Sequence, residues 1–248
     1  MDKFKEKVSV IIPAHNEGES IYANLLEIID TLNELCQDYE IIVVDDGSSD
    51  NTHREVVRVN SKVDRVKVVK SKSHQGKGSA LKYGFQFAKG NLVVFLDADL
   101  DLHPEQLSCF FDIMEKTEAD VVIGSKRHPE SKVDYPKRRR ALSFVYHLII
   151  FILFRLAITD TQVGLKLFKY KVLKKILPRV LIKKYAFDLE LLVNASHLGY
   201  KIVEAPIALN FTGANHWGGI GLRSLYSIWL DTLAVFYRMY ILKYYAKH

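Results

Sequence analysis

Short apolar runs punctuated by turn residues recur through the first half of the chain: Val8 to Ile12, Glu40 to Val44, Val66 to Val69, Leu92 to Leu96 and Asp120 to Ile123. Nearly continuous Val, Ile and Leu marks strands buried on both faces, as in a parallel sheet covered by helices. The intervals between the runs predict helices at about 18–35, 51–60, 76–89 and 104–117. Strand and helix therefore alternate, and the fold class is α/β with a mostly parallel sheet.

The second half reads differently. PKRRR at 136–140 leads into SFVYHLIIFILFRLAI, which is apolar except for Ser143, His147 and Arg155. At about 15 residues this segment is shorter than the roughly 20 needed to cross a bilayer. The chain ends in GLRSLYSIWLDTLAVFYRMYILKYYAKH, where Leu222, Leu225, Tyr226, Trp229, Leu233, Phe236 and Tyr240 recur near helical spacing and Arg223, Asp231 and Arg238 interrupt any span. Both segments are expected to be amphipathic helices at a membrane interface, with ordinary core helices as the alternative. The expected organisation is a main domain at 1–215, including an interfacial helix at about 143–158, and a C-terminal amphipathic segment at 216–248.

Composition narrows the setting. A chain of 248 residues, 48% apolar and 26% charged, is long enough for one large α/β domain or two small ones. Its two cysteines, Cys36 and Cys109, allow at most one bridge, and the N-terminus has no basic head followed by an apolar signal core. The expectation is the cytoplasm with reduced thiols. A net charge of +6 favours an anionic partner: nucleic acid, nucleotide phosphate or acidic lipid. The single basic cluster at 136–140 lacks interleaved aromatics and directly precedes an apolar helix, which favours an anionic membrane surface over nucleic acid.

Candidate chemistry begins at VVFLDADLDLHPEQ, residues 93–106, where Asp97, Asp99 and Asp101 follow a buried strand. Pro104 starts the next helix, so the carboxylates belong to a loop at the strand's C-terminal end, where ligands of open α/β sheets bind. Extended backbone would put Asp97 and Asp99 on one side, and a divalent cation would relieve their repulsion. Mg²⁺ and Mn²⁺ take oxygen ligands shared between carboxylates and phosphates. The alternative is a solvated acidic loop capping the next helix.

Three other loops share that placement. VSVIIPAHNEGES runs a strand into Pro13, His15, Asn16 and Glu17. EIIVVDDGSSDNT offers Asp45 and Asp46 as acceptors for a base or ribose, or as turn and cap residues. SHQGKGSALKYG places Gly76, Lys77 and Gly78 at a helix start, where backbone N–H groups and a cation can meet phosphate. It lacks the spacing of a P-loop, and no GxGxxG follows the first strand.

In this order VSVIIPAHNE, IIVVDDGSSDNT, GKGSALKYGF, FLDADLDLHPE, VIGSKR and DTQVGLKLFK resemble the family-two glycosyltransferases of the GT-A fold, over roughly residues 7–210. More narrowly they resemble the polyprenyl-phosphate hexosyltransferases, the dolichyl-phosphate mannose and glucose synthases. DTQVGLKLF followed by YAFDLELL leans toward the glucose enzymes. The resemblance implies inverting transfer of one hexose from a nucleotide-diphosphate sugar, GDP-mannose or UDP-glucose, to a polyprenyl (dolichyl) phosphate. It implies Mg²⁺ or Mn²⁺ as cofactor and peripheral attachment to the cytoplasmic face of a membrane.

The resemblance also assigns residues. Pro13, His15 and Glu17 fall in the nucleotide loop, with His15 replacing the usual Tyr. Asp45 and Asp46 match the acidic pair that recognises base or ribose. Asp97, Ala98 and Asp99 match the motif that binds the donor and metal, and Asp101, a further metal candidate, stands where mannose synthases often carry another polar residue. Arg127, Arg139, Arg140 and Ser143 match the groups that hold the lipid phosphate. The family's basic residue in the loop after the last strand is missing from NFTGANHWGGIGLRS, where Asn215, His216 or Arg223 are substitutes and the glycines suit a mobile lid.

A phosphate monoester with a second pKa near 6 is largely ionised at neutral pH and needs no general base. Transfer to another lipid, a glycan or a protein is the alternative, and it would need one. Asp188 and Glu190 in FDLELL are the reserve candidates, or else a helix-start Asp with a hydrogen-bonded Glu.

Overall fold

A computed structural model describes residues 3–133, 137–183, 186–209 and 222–247, side chains excepted at 137–143, 222–225 and 246–247. The aliphatic runs form β1 (Val8–Ala14), β2 (Tyr39–Asp45), β3 (Val66–Lys70), β4 (Leu92–Phe95) and β5 (Val121–Ser125). Between them lie α1 (Ile21–Leu35), α2 (Thr52–Asn60), α3 (Lys77–Phe85) and, after a 3₁₀ turn at Pro104–Gln106, α4 (Leu107–Thr117). The later part adds β6 (Lys132–Val133), α5 (Lys137–Phe154), β7 (Lys166–Lys169), α6 (Tyr170–Ile176), α7 (Phe187–His197), β8 (Ile202–Pro206) and β9 (Ala208–Leu209). At the C-terminus α8 (Leu222–Phe236), a π turn at Tyr237–Ile241 and α9 (Tyr244–Lys247) follow.

Seven strands form one sheet in the order β3-β2-β1-β4-β7-β5-β8. All neighbours are parallel except β7, which runs antiparallel to both β4 and β5. Alternation along each strand feeds two cores. Val10 and Ile12 of β1 pack with Leu25, Ile28 and Phe110 on one face, while Ile11 packs with Leu81, Phe168 and Leu192 on the other. The chain moves from β1 outward through β2 and β3, then returns to β4 on β1's opposite side. This reversal opens a crevice between the C-terminal ends of β1 and β4, the place where such sheets bind ligands.

A helix stands where the interfacial one is expected, with different limits. α5 begins in the basic run rather than at 143, and it stops at Phe154 because Arg155 turns left-handed at φ 51. Ile150 and Phe154 face the core, whereas Phe144 and Ile152 are 56% and 66% exposed. α8 docks beside it: Tyr146 and Thr232 hydroxyls lie 3.1 Å apart, and Phe154 meets the edge of Phe236. Thr232 and Val235 are buried, while Tyr226, Trp229, Leu230 and Leu233 are exposed. Among the described residues no helix is long and apolar enough to cross a membrane.

Candidate active site

The crevice holds a cleft of about 310 Å³. Pro13, His15 and Glu17 line it from the end of β1, and Asp97, Ala98 and Asp99 from the end of β4. Asp46, His74 and Lys77 close it between them. The cleft therefore gathers side chains from the four separate loops that sequence reasoning singled out.

The β2 end is organised around Asp46, which is buried and accepts from the backbone N–H groups of Gln75 and Gly76, the latter at 2.8 Å. His74 Nδ1 lies 2.9 Å from the same carboxylate. His15 Nδ1–H donates to the Asp46 carbonyl at 3.0 Å, and its ring stacks on His74 with centroids 4.0 Å apart. Asp45 points the other way, as strand alternation requires. It is fully buried, accepts from Ser48 N–H at 2.8 Å and faces His53 at 3.3 Å, so it shapes the turn outside the cleft.

Gly76, at φ 100, turns its N–H onto Asp46 and starts α3 with Lys77 as first residue. Gly78 follows because a β-carbon there would lie 2.4 Å from the Phe187 ring, so α3 presses against α7 only without one. Lys77 Nζ reaches Oδ1 of Asp97 in a direct ion pair. Burial pulls the Lys77 pKa down, but Asp97, Asp188 and Asp99 outweigh it and hold the ammonium above the ordinary lysine value. Behind Asp97 stands Gly164, whose absent β-carbon would fall 1.9 Å from Oδ2.

Asp99 lies exposed at the cleft mouth. Its Oδ1 accepts from the backbone N–H of Asp101 at 3.1 Å, and Leu100 between them takes φ 57. β4 has already ended at Phe95 and the chain turns at Ala98 and Asp99, and Asp101 does not join Asp97 and Asp99 in the cleft lining. Glu17 is raised above its usual carboxyl value, first by burial and then by Asp99, Asp50 and Asp97. Concentrated negative charge, presented entirely through oxygen donors, suits Mg²⁺ or Mn²⁺. Among the described residues no three His, Cys, Asp or Glu side chains form a ready cage. A cation held by Asp97 and Asp99 would complete its shell with substrate oxygen or water.

The two reserve carboxylates are engaged elsewhere. Asp188 is buried with Oδ1 2.6 Å from Nζ of Lys166, itself 1% exposed. Burial depresses the Lys166 ammonium, only partly offset by Asp188. Glu190 is fully buried, and one oxygen accepts from Leu181 and Ile182 N–H at 2.9 and 2.7 Å. Its other oxygen takes the Tyr245 hydroxyl and lies 3.2 Å from Arg238.

Arg127 sits 5.6 Å over the Phe144 ring, joining the loop after β5 to α5. The side chains of Arg139, Arg140, Ser143 and Arg223, and the loop carrying Asn215 and His216, lie outside the described residues. His74, Gly164 and Lys166 belong to the cleft and its support without having been singled out as site residues. The signals were present: His74 immediately precedes the QGKG run, and Gly164 and Lys166 sit inside DTQVGLKLF.

Known proteins place this arrangement. A solved glucosyl-3-phosphoglycerate synthase from Mycobacterium tuberculosis, in complex with Mn²⁺, UDP-glucose and phosphoglyceric acid, superposes with a TM-score of 0.69 at 20% identity, covering 94% of this chain and 79% of that one. At that identity the likeness speaks for the fold. A dolichyl-phosphate beta-glucosyltransferase of Dictyostelium discoideum is 34% identical over 218 residues, 83% of this chain, and one of Saccharomyces cerevisiae is 31% identical over 220 residues, 81% of this chain. In both cases the match spans 66% of the relative, just under two thirds of its length. The family model of glycosyl transferase family 2 matches residues 9–177, from β1 through α6, and so takes in every residue lining the cleft. Strand order, cleft and sequence agree, and the chain belongs to glycosyl transferase family 2.

Proposed function

We propose that this protein transfers one hexose, with inversion, from a nucleotide-diphosphate sugar to a polyprenyl phosphate at a membrane surface. The observation that carries this reading is the state of the carboxylates. Asp97 and Asp99 face the cleft, whereas Asp188 and Glu190, the candidates for a base, are both held by buried partners. A site arranged so suits an acceptor that arrives already ionised, as a lipid monophosphate does.

The residues then divide the work. His15 and His74 offer ring faces to the nucleobase, and Asp46 holds both, His15 through its carbonyl and His74 through its carboxylate. Lys77 and the amide groups at the start of α3 bind the diphosphate. Asp97 and Asp99 would hold the divalent cation, which supplies charge neutralisation at the departing diphosphate. Arg127, with Arg139, Arg140 and Ser143 from the start of α5, holds the acceptor phosphate in line with the anomeric carbon. The bond from that carbon to the nucleotide diphosphate breaks as the bond to the acceptor phosphate oxygen forms. No proton has to move.

The names of the D. discoideum and S. cerevisiae relatives favour glucose as the hexose and dolichyl phosphate as the acceptor class. The exposed apolar faces of α5 and α8 fit the headgroup boundary of an anionic membrane, with Tyr226 and Trp229 at the level where aromatics settle. The basic run adds about 1 kcal/mol per Lys or Arg near anionic lipid, which suits peripheral attachment on the cytoplasmic side. The test supplies purified protein with Mg²⁺ or Mn²⁺, short polyprenyl phosphate and either UDP-glucose or GDP-mannose. Lipid-linked hexose from one donor, lost in Asp99→Asn, supports the reading. Hexose appearing only on glycan or protein acceptors overturns it.

A further inference from the structure

The position that a divalent cation would share with Asp97 already faces a positive charge of the protein's own. Lys77 Nζ is in direct contact with Asp97 Oδ1, and Oδ2 fills the space where a side chain at Gly164 would begin. Lys77 is also the residue after Gly76, whose N–H is fastened to Asp46 at the nucleoside end of the cleft. The ammonium thus spans from the loop that meets the nucleoside to the carboxylate that meets the metal. Its side chain is 37% exposed and flexible, so it can leave Asp97 without disturbing α3.

We propose that Lys77 is a resident counter-cation of the metal subsite: its ammonium neutralises Asp97 until a divalent cation and a nucleotide diphosphate arrive together, and it then passes to the diphosphate oxygens. This rests on the reading of Asp97 and Asp99 as metal ligands. A bare cation must break the Lys77–Asp97 pair without bringing a new anionic partner for the ammonium, so it binds weakly. A cation arriving with a diphosphate offers the ammonium a new and more highly charged partner. Binding of metal and nucleotide is therefore mutually reinforcing, and the free enzyme resists loading by metal alone.

The test measures Mn²⁺ affinity by the loss of the free-ion electron paramagnetic resonance signal, with and without UDP, and with GDP in a parallel series. In the native protein a nucleoside diphosphate should tighten Mn²⁺ about tenfold or more. Lys77→Met should bind Mn²⁺ in the absence of nucleotide roughly two- to fivefold more tightly than the native protein, the scale of one partly exposed ion pair. Its gain from nucleotide should shrink correspondingly. Lys77→Arg, which keeps the charge, should stay close to the native value without nucleotide, and Lys77→Gln repeats the neutral substitution if the Met variant does not fold. Nucleotide-free Mn²⁺ affinity in the neutral variants equal to or weaker than native overturns the proposal while leaving the metal site standing. A native protein that takes up no Mn²⁺ with either nucleotide overturns the metal site and this proposal with it.

Discussion

Gly164 and Asp97 occupy space that only a glycine can share: a β-carbon at 164 would lie 1.9 Å from Oδ2 of Asp97. Gly164→Ala must therefore push that carboxylate out of the cleft while leaving the sheet paired. Transfer should fall by about a hundredfold, the scale of a misplaced catalytic group. The melting temperature should move by only a few degrees, about 1 kcal/mol or less for a domain of this size. A variant with full activity would show that Asp97 need not sit where it does.

Lys166 and Asp188 form a buried ion pair under the cleft, and removing one partner strands the other charge. Either Lys166→Met or Asp188→Leu alone should cost about 3–5 kcal/mol in chemical denaturation. The double variant should recover most of that loss, because a buried pair is replaced by apolar volume. If Asp188 only supports the site, the double variant keeps transfer within about tenfold of native at a temperature where it is folded. Loss of four orders of magnitude there would make Asp188 a base.

Glu190 latches the C-terminus to the catalytic domain. It holds the 181–182 backbone and the Tyr245 hydroxyl at once, and that strand of contacts reaches α3 through Lys82, which donates to the Val180 carbonyl at 3.0 Å. Tyr245→Phe removes two charge-assisted bonds, the hydroxyl's own to Glu190 and the one it accepts from Arg238 Nε at 3.1 Å, and should cost about 3 kcal/mol. Limited proteolysis should then cut within Tyr237–Lys247 well before the sheet opens. Cleavage at the native rate would mean that the latch contributes nothing.

Glu40 joins β1, β2, β3 and the turn before β4. Its carboxylate accepts from Ser9 Oγ at 2.8 Å, Lys67 Nζ at 2.7 Å and Lys89 N–H at 2.6 Å. Burial pushes its pKa up, but the bonds from Lys67, Ser9 and Lys89 prevail and hold it below the ordinary value of 4.5. A carboxyl lowered on folding contributes stability above 4.5 that is lost as the pH falls through the folded value. Glu40→Gln should cost about 2 kcal/mol near neutral pH, and its stability should converge on the native one in acid. A gap that stays constant between pH 7 and pH 3 would contradict this assignment.

The first half of the fold was legible because strands buried on both faces read as unbroken aliphatic runs. β7 was not, since KLFK begins with a lysine, and Lys166 is tolerated in the core because its ammonium meets Asp188, remote in sequence, and the Val163 carbonyl. Asp45 and Asp46 are neighbours in the sequence, yet they face opposite sides of the β2 edge, so one shapes a turn and the other faces the cleft. Asp101 had the right spacing for the cleft, but β4 ends at Phe95 and the chain turns at Ala98 and Asp99, so the alternation on which that spacing relies does not extend to it. The basic run and the apolar segment looked like two features and form one helix, because Arg, Leu and Ala continue a helix as readily as Phe and Ile.

The central claim is that the acceptor supplies its own nucleophile as a phosphate anion. The direct measurement compares polyprenyl phosphate with the corresponding unphosphorylated polyprenol in otherwise identical reactions, counting lipid-linked hexose and released nucleoside diphosphate together. One hexose should be transferred per nucleoside diphosphate with the phosphate, and no product should be detectable with the alcohol. Glycosylation of the alcohol at a comparable rate would contradict it, because a hydroxyl must lose its proton to a base that this reading does not assign.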